Sequence, residues 1–397
     1  MNNRNTTAQT IGLATNWNYP DYGGMLQSFA SQTTIQNLGY NVEVIDARPL
    51  DHDITRRKLT YFARNIFDLS IVKEKSAVVA TKFRSKMDSS FLRRKRERDA
   101  AFEKFCMKNF DLSSPAVDWA TLTDLASCYD AVVVGSDQLW LPSNITADYY
   151  TLSFVPNNVP KIAYATSFGI PSIPNYLFET TRNYLKRFDF LSAREITGQQ
   201  IIEKCTGRKV PLVCDPTLLL GANQWANYAA DEKCPNENYI FCYLMGDNQK
   251  HRTYIQEISR LTGWKIVALL HLDRYIASDE DFPDYAPFDI SPSEFLGLIA
   301  NASLVCTDSF HGTIFSAQFN SPFLVFRRFV KKTTLSTNTR IDSLLDRLDL
   351  QKHLVNDFSD TKHSIEMSEK LENLDTRITS FRNDSLEYLR NALGTHA

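Results

Sequence analysis

The stretch SLVCTDSFHGTIFSAQFNSPFLVF, residues 303–326, decides the fold of this chain. Two short apolar runs within it, 304–306 and 323–326, predict buried strands. Between them, Asp308 and Ser309 are residue types that begin helices, so the residues after them would form a first helical turn with free backbone N–H groups. The stretch therefore predicts a strand, a tight turn, a short helix and a second strand, with an anion-binding helix end at the turn.

His311 would lie in that first helical turn, between Phe310 and Gly312. Histidine exchanges a proton near neutral pH, so at this position it can both bind an anionic group and act as an acid or a base. The alternative interpretation is a buried histidine that only packs at the end of a helix. His311 is the candidate catalytic residue.

Strands and helices also alternate in the first half of the chain, which is typical of parallel α/β sheets. Residues 10–46 predict a strand, a loop, a helix and a strand, and the loop carries Gly23 and Gly24 just before the helix. These glycines would let the backbone approach a ligand closely, or they would serve only the turn. Their spacing is not GxGxxG, so it does not predict a dinucleotide site.

Polar residues follow two further predicted strands. YDAVVVGSDQLW, residues 129–140, runs from a buried strand into Ser136 and Asp137, and KIAYATSFG ends in Ser167 and Gly169. In an open parallel sheet ligands collect beyond the carboxyl ends of the strands, so these residues would line a cleft. Two roles are open for Asp137, which are to cap a helix or to bind the hydroxyl groups of an acceptor.

Arg194 stands at another predicted change from strand to helix, in FDFLSAREITGQQIIEKCTG. Its guanidinium could clamp a carboxylate or a phosphate through two hydrogen bonds. The alternative is a surface arginine paired with Glu195 or another neighbour. Arg194 is the candidate anion-binding residue in the first half of the chain.

The length and the pattern predict two α/β domains. We expect an N-terminal α/β domain over residues 1–220 with a helical insertion over about 50–118, a C-terminal α/β domain over 236–363, and a helix over 364–397 that packs on the body. The insertion combines an apolar helical stripe, which includes Phe83, Met87 and Phe91, with a basic run. That run could meet anionic lipid or the pyrophosphate of a lipid-linked glycan, or it could be a solvated helix face.

The composition excludes several classes of protein. Apolar residues make up 43% and charged residues 23%, as in ordinary globular proteins, and a net charge of −2 does not favour nucleic acid. The seven cysteines are scattered without a CxxC pair, which indicates reduced thiols and the cytoplasm. The first ten residues lack the apolar region of a secretory leader, and no apolar run comes near the roughly 18 residues of a membrane span, so we expect neither a signal peptide nor a membrane span. HxH, HExxH and GxSxG motifs do not occur, so we expect neither a metal site nor a serine hydrolase.

The hexapeptide TDSFHG at 307–312, followed by a helix of small residues and Ser321-Pro322, resembles the signature of the polysaccharide pyruvyl transferase family. Three further stretches match that family in the same order, which are GSDQLW at 135–140, SARE at 192–195 and DP at 215–216. The resemblance implies two Rossmann-like domains that face a cleft, a GT-B-like architecture. It also implies transfer of the enolpyruvyl part of phosphoenolpyruvate to a sugar, leaving a pyruvate ketal on a bacterial cell-surface glycan.

The resemblance also implies roles for single residues. His311 would be the general acid or base, and Arg194 would contact the donor. Ser309 and Gly312 would bind the donor at the helix end, and Arg340, which with Ile341 matches an Arg-Ile pair in related sequences, would be a second anion ligand. Arg327, Arg328, Lys331 and Lys332 compete with Arg340 for this role. The cleft would be lined by Gly23, Gly24, Ser136 and Asp137.

The expected partners are phosphoenolpyruvate as the donor and a sugar acceptor carried by undecaprenyl pyrophosphate, with no cofactor and no metal. We expect the protein in the cytoplasm, in peripheral contact with the inner membrane. Two rival functions remain open. One is a nucleotide-sugar glycosyltransferase of the same two-domain shape, and the other is a non-catalytic binding protein of a glycan-synthesis cluster.

Overall fold

Two parallel sheets with helices on their faces form the protein, which the computed structural model describes over residues 9–64, 89–272, 276–279, 281–328, 338–369 and 371–394. The first sheet has the strand order β2-β1-β3-β4-β5 and the second has the order β7-β6-β8-β9. The strands are β1 Thr10–Ala14, β2 Asn41–Val44, β3 Ala131–Val134, β4 Lys161–Thr166, β5 Phe190–Ala193, β6 Tyr239–Tyr243, β7 Lys265–Ala268, β8 Leu304–Thr307 and β9 Phe323–Val325.

Helices connect the strands as crossovers, which parallel pairing requires. In the first half of the chain they are α1 Tyr22–Asn37, α2 Asp51–Arg64, α3 Ser89–Asn109, α4 Trp119–Ser127, α5 Pro142–Ala147, α6 Phe178–Leu185, α7 Ile196–Thr206, α8 Pro216–Leu219 and α9 Ala222–Ala226. In the second half they are α10 Gln249–Thr262, α11 Pro292–Ala300, α12 Phe310–Gln318, α13 Asn338–Leu348, α14 Thr361–Ser368 and α15 Leu374–Gly394.

The strand order reverses once in each sheet. β1 pairs in parallel with both β2 and β3, and β6 pairs in parallel with both β7 and β8. The connections that leave β1 and β3 run to opposite sides, as do those that leave β6 and β8, which opens a crevice at the carboxyl ends of these strands. The segments after β1, β3, β6 and β8 therefore meet where a ligand can bind.

A shared apolar core joins the two sheets. The core runs without interruption from Ile11 in β1 to Phe315 in α12. Tyr22, in the first turn of α1, stacks on Phe295 of α11 with the ring centroids 4.6 Å apart, and its hydroxyl donates to the backbone oxygen of Ile290. These contacts fix the start of α1 against the second sheet.

The described part of the insertion forms two helices, α2 and α3, and then a non-helical segment up to residue 118. Phe102 and Phe105 of α3 are buried, whereas the predicted stripe residues Phe83 and Met87 lie outside the described residues. In the basic run, Lys95 pairs with Asp99 one turn further along the same helix. Arg98 also lies 3.6 Å from Asp99, so part of the positive charge is balanced within the helix.

The C-terminal segment, predicted as one helix over 364–397, forms two helices in its described part, α14 and α15. The second of them returns to the first sheet, where the hydroxyl of Tyr388 donates to the backbone oxygen of Ala163 over 3.1 Å. The hydroxyl of Ser385 accepts from the backbone N–H of Cys214 over 2.9 Å. Among the described residues, no helix is both long and apolar enough to cross a membrane.

Candidate active site

The carboxyl ends of strands from both sheets bring the candidate residues together. Asp137 follows β3, Arg194 follows β5 and His311 follows β8. A buried carboxylate, Asp215, lies just before α8 and touches both Arg194 and His311. The candidate residues of the two sheets therefore form one cluster between the sheets.

His311 lies in the first turn of α12, which Ser309 caps as its residue type predicts. The imidazole is 8% exposed, and its Nε2 lies 3.5 Å from Oδ2 of Asp215. Nε2 is shielded from solvent and has no hydrogen-bond partner within the described part of the chain. The ring is therefore held with one nitrogen turned toward a buried carboxylate.

Gly23 packs against the face of the same ring. A Cβ atom on Gly23 would lie 2.0 Å from Nδ1 of His311, 2.5 Å from Cγ and 2.7 Å from Cε1, so a larger residue does not fit. Gly23 and Gly24 belong to the first turn of α1, and the prediction that they lie in the loop before the helix is wrong. The reason is the side chain of Asp21, which caps the helix by accepting from the backbone N–H of Gly24 over 2.6 Å.

Arg194 is buried and donates hydrogen bonds to two carboxylates. Its Nη1 donates to Oδ2 of Asp215 over 2.6 Å, and its Nη2 donates to Oδ1 of Asp137 over 3.0 Å. The guanidinium lies over the ring of Phe310, 4.6 Å from the centroid, in cation–π geometry. The alternative of a surface arginine paired with Glu195 is therefore wrong.

Arg340 of α13 joins this cluster from the second half of the chain. Its Nη1 lies 3.5 Å from Oδ1 of Asp137, and its guanidinium lies 5.7 Å from the centroid of Phe310. Burial, and next the charge of Arg194, lower the pKa of Arg340 to about 10. The Nε atom of Arg194 and the Nε atom of Arg340 are both buried, and neither has a hydrogen-bond partner in the described ranges. Two guanidinium groups thus share one carboxylate and one aromatic ring, which leaves donors for a further anion.

Of the basic residues that compete with Arg340, Arg327 pairs with Asp342 over 2.9 Å. Arg328 is near the cluster, with its Nε 3.9 Å from Oδ1 of Asp308. Lys331 and Lys332 lie outside the described residues. Among the described arginines of this group, Arg340 is the one that contacts Asp137.

Asp215 lies at the centre of the cluster and contacts Arg194, Ser136 and His311. Its Oδ1 accepts from the backbone N–H and the hydroxyl of Thr217, over 3.0 and 2.7 Å. Its Oδ2 accepts from Arg194 and, over 3.3 Å, from the hydroxyl of Ser136, and it faces His311. Burial alone would raise the pKa of Asp215, but protonated His311 and Arg194 outweigh it and hold the pKa well below its ordinary value. The carboxyl group is therefore ionised at neutral pH.

Two other carboxyl groups near the arginines differ in their pKa. Burial raises the pKa of Asp137, but the charges of Arg194, His311 and Arg340 together lower it below its ordinary value. For Glu195 the effect of burial wins, and its pKa is raised. One oxygen of Glu195 accepts from the hydroxyl of Ser167 over 2.9 Å, while the other has no partner among the described residues.

Ser136 and Asp137 form the turn after β3. The backbone N–H of Ser136 donates to Oε1 of Gln27 in α1 over 2.7 Å, which ties the turn to the helix that carries Gly23. The side chain of Asp137 is 19% exposed, whereas that of Asp215 is fully buried. The next helix begins at Pro142 with Leu141 at its cap, so Asp137 does not cap a helix.

The turn after β8 is held by its own side chains. Asp308 accepts from the backbone N–H groups of Met245 and Gly246, over 2.6 and 2.9 Å, which fixes the loop after β6. A Cβ on Gly312 would lie 2.5 Å from Oγ1 of Thr307. The hydroxyl of Ser309 accepts from the N–H of Gly312 over 3.4 Å, so Ser309 and Gly312 shape the helix end.

Sequence reasoning missed Asp215, Glu195 and Phe310 as members of this cluster. The Asp215-Pro216 pair was visible, but it stands more than 90 residues from His311, and no periodicity connects two loops at such a separation. Leu212, in the segment before Asp215, makes an isolated bridge to Ala193. No group of three or more His, Cys, Asp or Glu side chains in the described ranges is arranged to hold a metal ion.

The model of one protein family, described as polysaccharide pyruvyl transferase, matches residues 21–328, well over half of the chain. The chain belongs to this family. The match contains the segments of β3, β5 and β8 that carry Asp137, Arg194 and His311, and it ends before Arg340. No curated protein matches the sequence at a significant level.

Solved structures of similar fold include UDP-GlcNAc 2-epimerases. One, from Neisseria meningitidis and bound to UDP-GlcNAc, has 12% identity and a TM-score of 0.50, with 97% of this chain and 99% of that chain covered. Another, a Listeria monocytogenes protein assigned as a UDP-N-acetylglucosamine 2-epimerase, has 11% identity and a TM-score of 0.52, with 98% and 97% covered. At such identities the likeness concerns the fold alone. The predicted GT-B-like architecture is confirmed.

Proposed function

We propose that this protein transfers the pyruvyl group of phosphoenolpyruvate to sugar hydroxyls of a bacterial cell-surface polysaccharide or its lipid-linked precursor, forming a pyruvate ketal and releasing phosphate. The observation that carries the proposal is the cluster of His311, Arg194 and Arg340 in a member of the polysaccharide pyruvyl transferase family. This cluster combines a proton-exchanging group with two anion-binding groups, as the donor requires.

Phosphoenolpyruvate carries a carboxylate and a phosphate, and the two guanidinium groups supply matching charge. Arg194 and Arg340 share Asp137 and the ring of Phe310, and each has a buried Nε that lacks a partner in the described part of the protein. Guanidinium groups bind carboxylates and phosphates through parallel hydrogen bonds. In the proposed complex the donor accepts these hydrogen bonds, with the free N–H groups at the start of α12 nearby.

In the proposed reaction His311 gives a proton to the methylene carbon of the donor, which creates an oxocarbenium-like centre at the neighbouring carbon. A sugar hydroxyl attacks that centre, the bond to the phosphate oxygen breaks, and a second hydroxyl closes the ketal. The hydroxyl protons pass to His311 and to the phosphate, so the imidazole is restored to its charged form. One such acid–base group typically contributes about 10²- to 10⁴-fold in rate.

Asp137 suits the acceptor side of this reaction. Its side chain is partly exposed, whereas Asp215 and Arg194 are buried at 0% and 1% exposure. An ionised carboxylate accepts hydrogen bonds from sugar hydroxyls. We therefore assign Asp137 to the binding of the acceptor, with Ser136 and Gly23 shaping the adjoining wall.

The test is the release of phosphate from phosphoenolpyruvate in the presence of galactose-, mannose- and glucosamine-type acceptors, both free and lipid-linked. Mass spectrometry of the acceptor measures the added pyruvyl group. Acceptor-dependent release with that mass gain is the expected result. Turnover of UDP-sugars in place of phosphoenolpyruvate would instead identify a nucleotide-sugar glycosyltransferase.

His311→Ala is the variant that tests the role of the imidazole, and His363→Ala is its matched control because His363 is exposed on α14. We expect the first to lose nearly all turnover and the second to keep it. A fully folded His311→Ala variant with normal turnover would disprove the catalytic assignment.

A further inference from the structure

Asp215 and His311 face each other in a way that distinguishes the two ring nitrogens of the histidine. Nε2 lies 3.5 Å from Oδ2 of Asp215 and has no solvent-accessible surface. The side chain of His311 is nevertheless 8% exposed, and this exposure lies elsewhere than at Nε2. A substrate can therefore reach this ring only from the side away from Asp215.

Gly23 keeps that other side open. The Cβ that this residue lacks would lie 2.0 Å from Nδ1 of His311, 2.5 Å from Cγ and 2.7 Å from Cε1. An atom in the plane of the ring at the same distance from Nδ1 would be farther from both carbons, so this Cβ would lie above the face of the ring. Gly23 therefore packs on the face of the ring and does not lie in the plane, where the lone pair of Nδ1 points. No hydrogen bond to Nδ1 is formed by the described residues.

Asp215 is ionised, because His311 and Arg194 lower its pKa. A carboxylate accepts hydrogen bonds and cannot donate them, so a neutral imidazole opposite it is more stable with its proton on Nε2. Catalytic hydrogen bonds are often long in the free enzyme and shorten in the complex, which fits the 3.5 Å separation.

We propose that Asp215 is a positioning residue that holds neutral His311 in the Nε2–H form and thereby makes Nδ1 the nitrogen that exchanges the proton with the substrate. The statement that the proton goes to the donor substrate rests on the proposed pyruvyl transfer. The statement that neutral His311 carries its proton on Nε2 does not. In the protonated state both nitrogens carry a proton, Nδ1–H is given to the substrate, and the Nε2–H form remains. Transfer from Nε2 is excluded by its burial against Asp215.

Nitrogen-15 NMR of the histidine rings tests the ring state directly. The His311 signals are assigned by their loss in His311→Ala, and the spectrum is recorded above the pH at which the ring becomes neutral. We expect the shifts of the Nε2–H form in the wild-type protein. Shifts of the Nδ1–H form would overturn the proposal, whatever the enzymatic activity is, so the test is independent of the proposed function.

Asp215→Asn then tests the coupling. The neutral amide accepts a weaker hydrogen bond and can instead offer its N–H to Nε2, so the fraction of the Nε2–H form should fall. We expect kcat to fall by about 10²- to 10⁴-fold, as for the removal of other groups that orient an acid–base histidine. The pH limb of kcat that reports the imidazole should move to lower pH, because a negative charge beside the cation is lost. The carboxylates of Asp21 and Asp137, which also interact with His311, are unchanged in this variant.

A purely structural role of Asp215, as the partner of Arg194, predicts a different result. It would raise the KM for phosphoenolpyruvate while leaving the pH limb and the ring state unchanged, and that outcome would overturn the proposal. Ser136→Ala is the control, since it removes the 3.3 Å contact to Oδ2 but keeps the carboxylate. This control should keep the Nε2–H form.

Discussion

Replacement of Gly23 by alanine is the sharpest test of how the two sheets cooperate, because Gly23 belongs to the first half of the chain and His311 to the second. The added Cβ would lie 2.0 Å from Nδ1 of His311, whereas ordinary contacts begin at 3.4 Å. The ring or the start of α1 would therefore have to move by about 1.4 Å. A misplacement of about 1 Å in an active site can cost about 10²-fold in rate.

The assay for Gly23→Ala is kcat/KM for phosphoenolpyruvate with a saturating acceptor, together with the thermal unfolding midpoint. We expect a loss of about 10²-fold in kcat/KM. Gly221→Ala is the matched control, since a Cβ there meets nothing closer than Gln224 Oε1 at 3.9 Å and its φ of −78° suits alanine. The control should behave as the wild type.

A Gly23→Ala protein that is folded and fully active would refute the reasoning. It would mean that the ring of His311, or the start of α1 that packs on it, can move by more than about 1 Å without consequence, which is incompatible with acid–base catalysis at a fixed position. A variant that binds phosphoenolpyruvate normally but reacts slowly would agree with it, because the clash involves His311 and not the arginines.

Three other perturbations give separable outcomes. Arg194→Lys keeps a positive charge beside Asp215 but loses the second hydrogen bond, which goes to Asp137. Calorimetry should show that phosphoenolpyruvate binds at least about tenfold more weakly. Unchanged binding would contradict the role of Arg194. Asp137→Asn removes the carboxylate that contacts both Arg194 and Arg340 and that competes with the donor for them. The donor should therefore bind more tightly while kcat falls, and weaker donor binding would refute this competition. The pKa of Asp137 and of Asp215 is lower in the folded protein than the unfolded value of about 3.9, so these groups stabilise the fold above that pH. This contribution to the free energy of unfolding should be lost as the pH falls further toward the pKa values of the folded protein. Urea unfolding between about pH 3 and 7 measures the loss, which should be smaller in Asp137→Asn than in the wild type. An equal loss in both proteins would contradict the lowered pKa of Asp137.

Local signals in the sequence were sufficient for the individual elements. The apolar runs at 304–306 and 323–326 predicted β8 and β9. Of the two residues proposed to begin the helix between them, Asp308 and Ser309, it is Ser309 that caps α12. Gly207 and Gly263, of the residue type that commonly ends helices, cap the ends of α7 and α10 with a positive φ. These features depend on residues that are near one another in sequence, so a single sequence contains them.

Some local predictions were wrong where a side chain beyond the local pattern decided the boundary. The start of α1 is moved toward the N-terminus by Asp21, so that Gly23 and Gly24 are helical. The C-terminal segment, predicted as one helix, instead forms α14, which ends at Ser368, and α15, which begins at Leu374. Capping and packing, which the apolar period does not record, set these ends.

The sequence by itself determined the kinds of groups in the site and the strand ends on which they stand. Ser136, Asp137, Arg194 and His311 each follow a strand that the hydrophobic pattern predicted. The tertiary structure alone decided their partners. Asp215 meets His311 across 96 positions of sequence, and Arg340 meets Asp137 across more than 200, because two sheets that share one core bring their carboxyl ends together. The physical reason is that an ion pair or a ring contact depends on distance in space, and only the packed core fixes that distance.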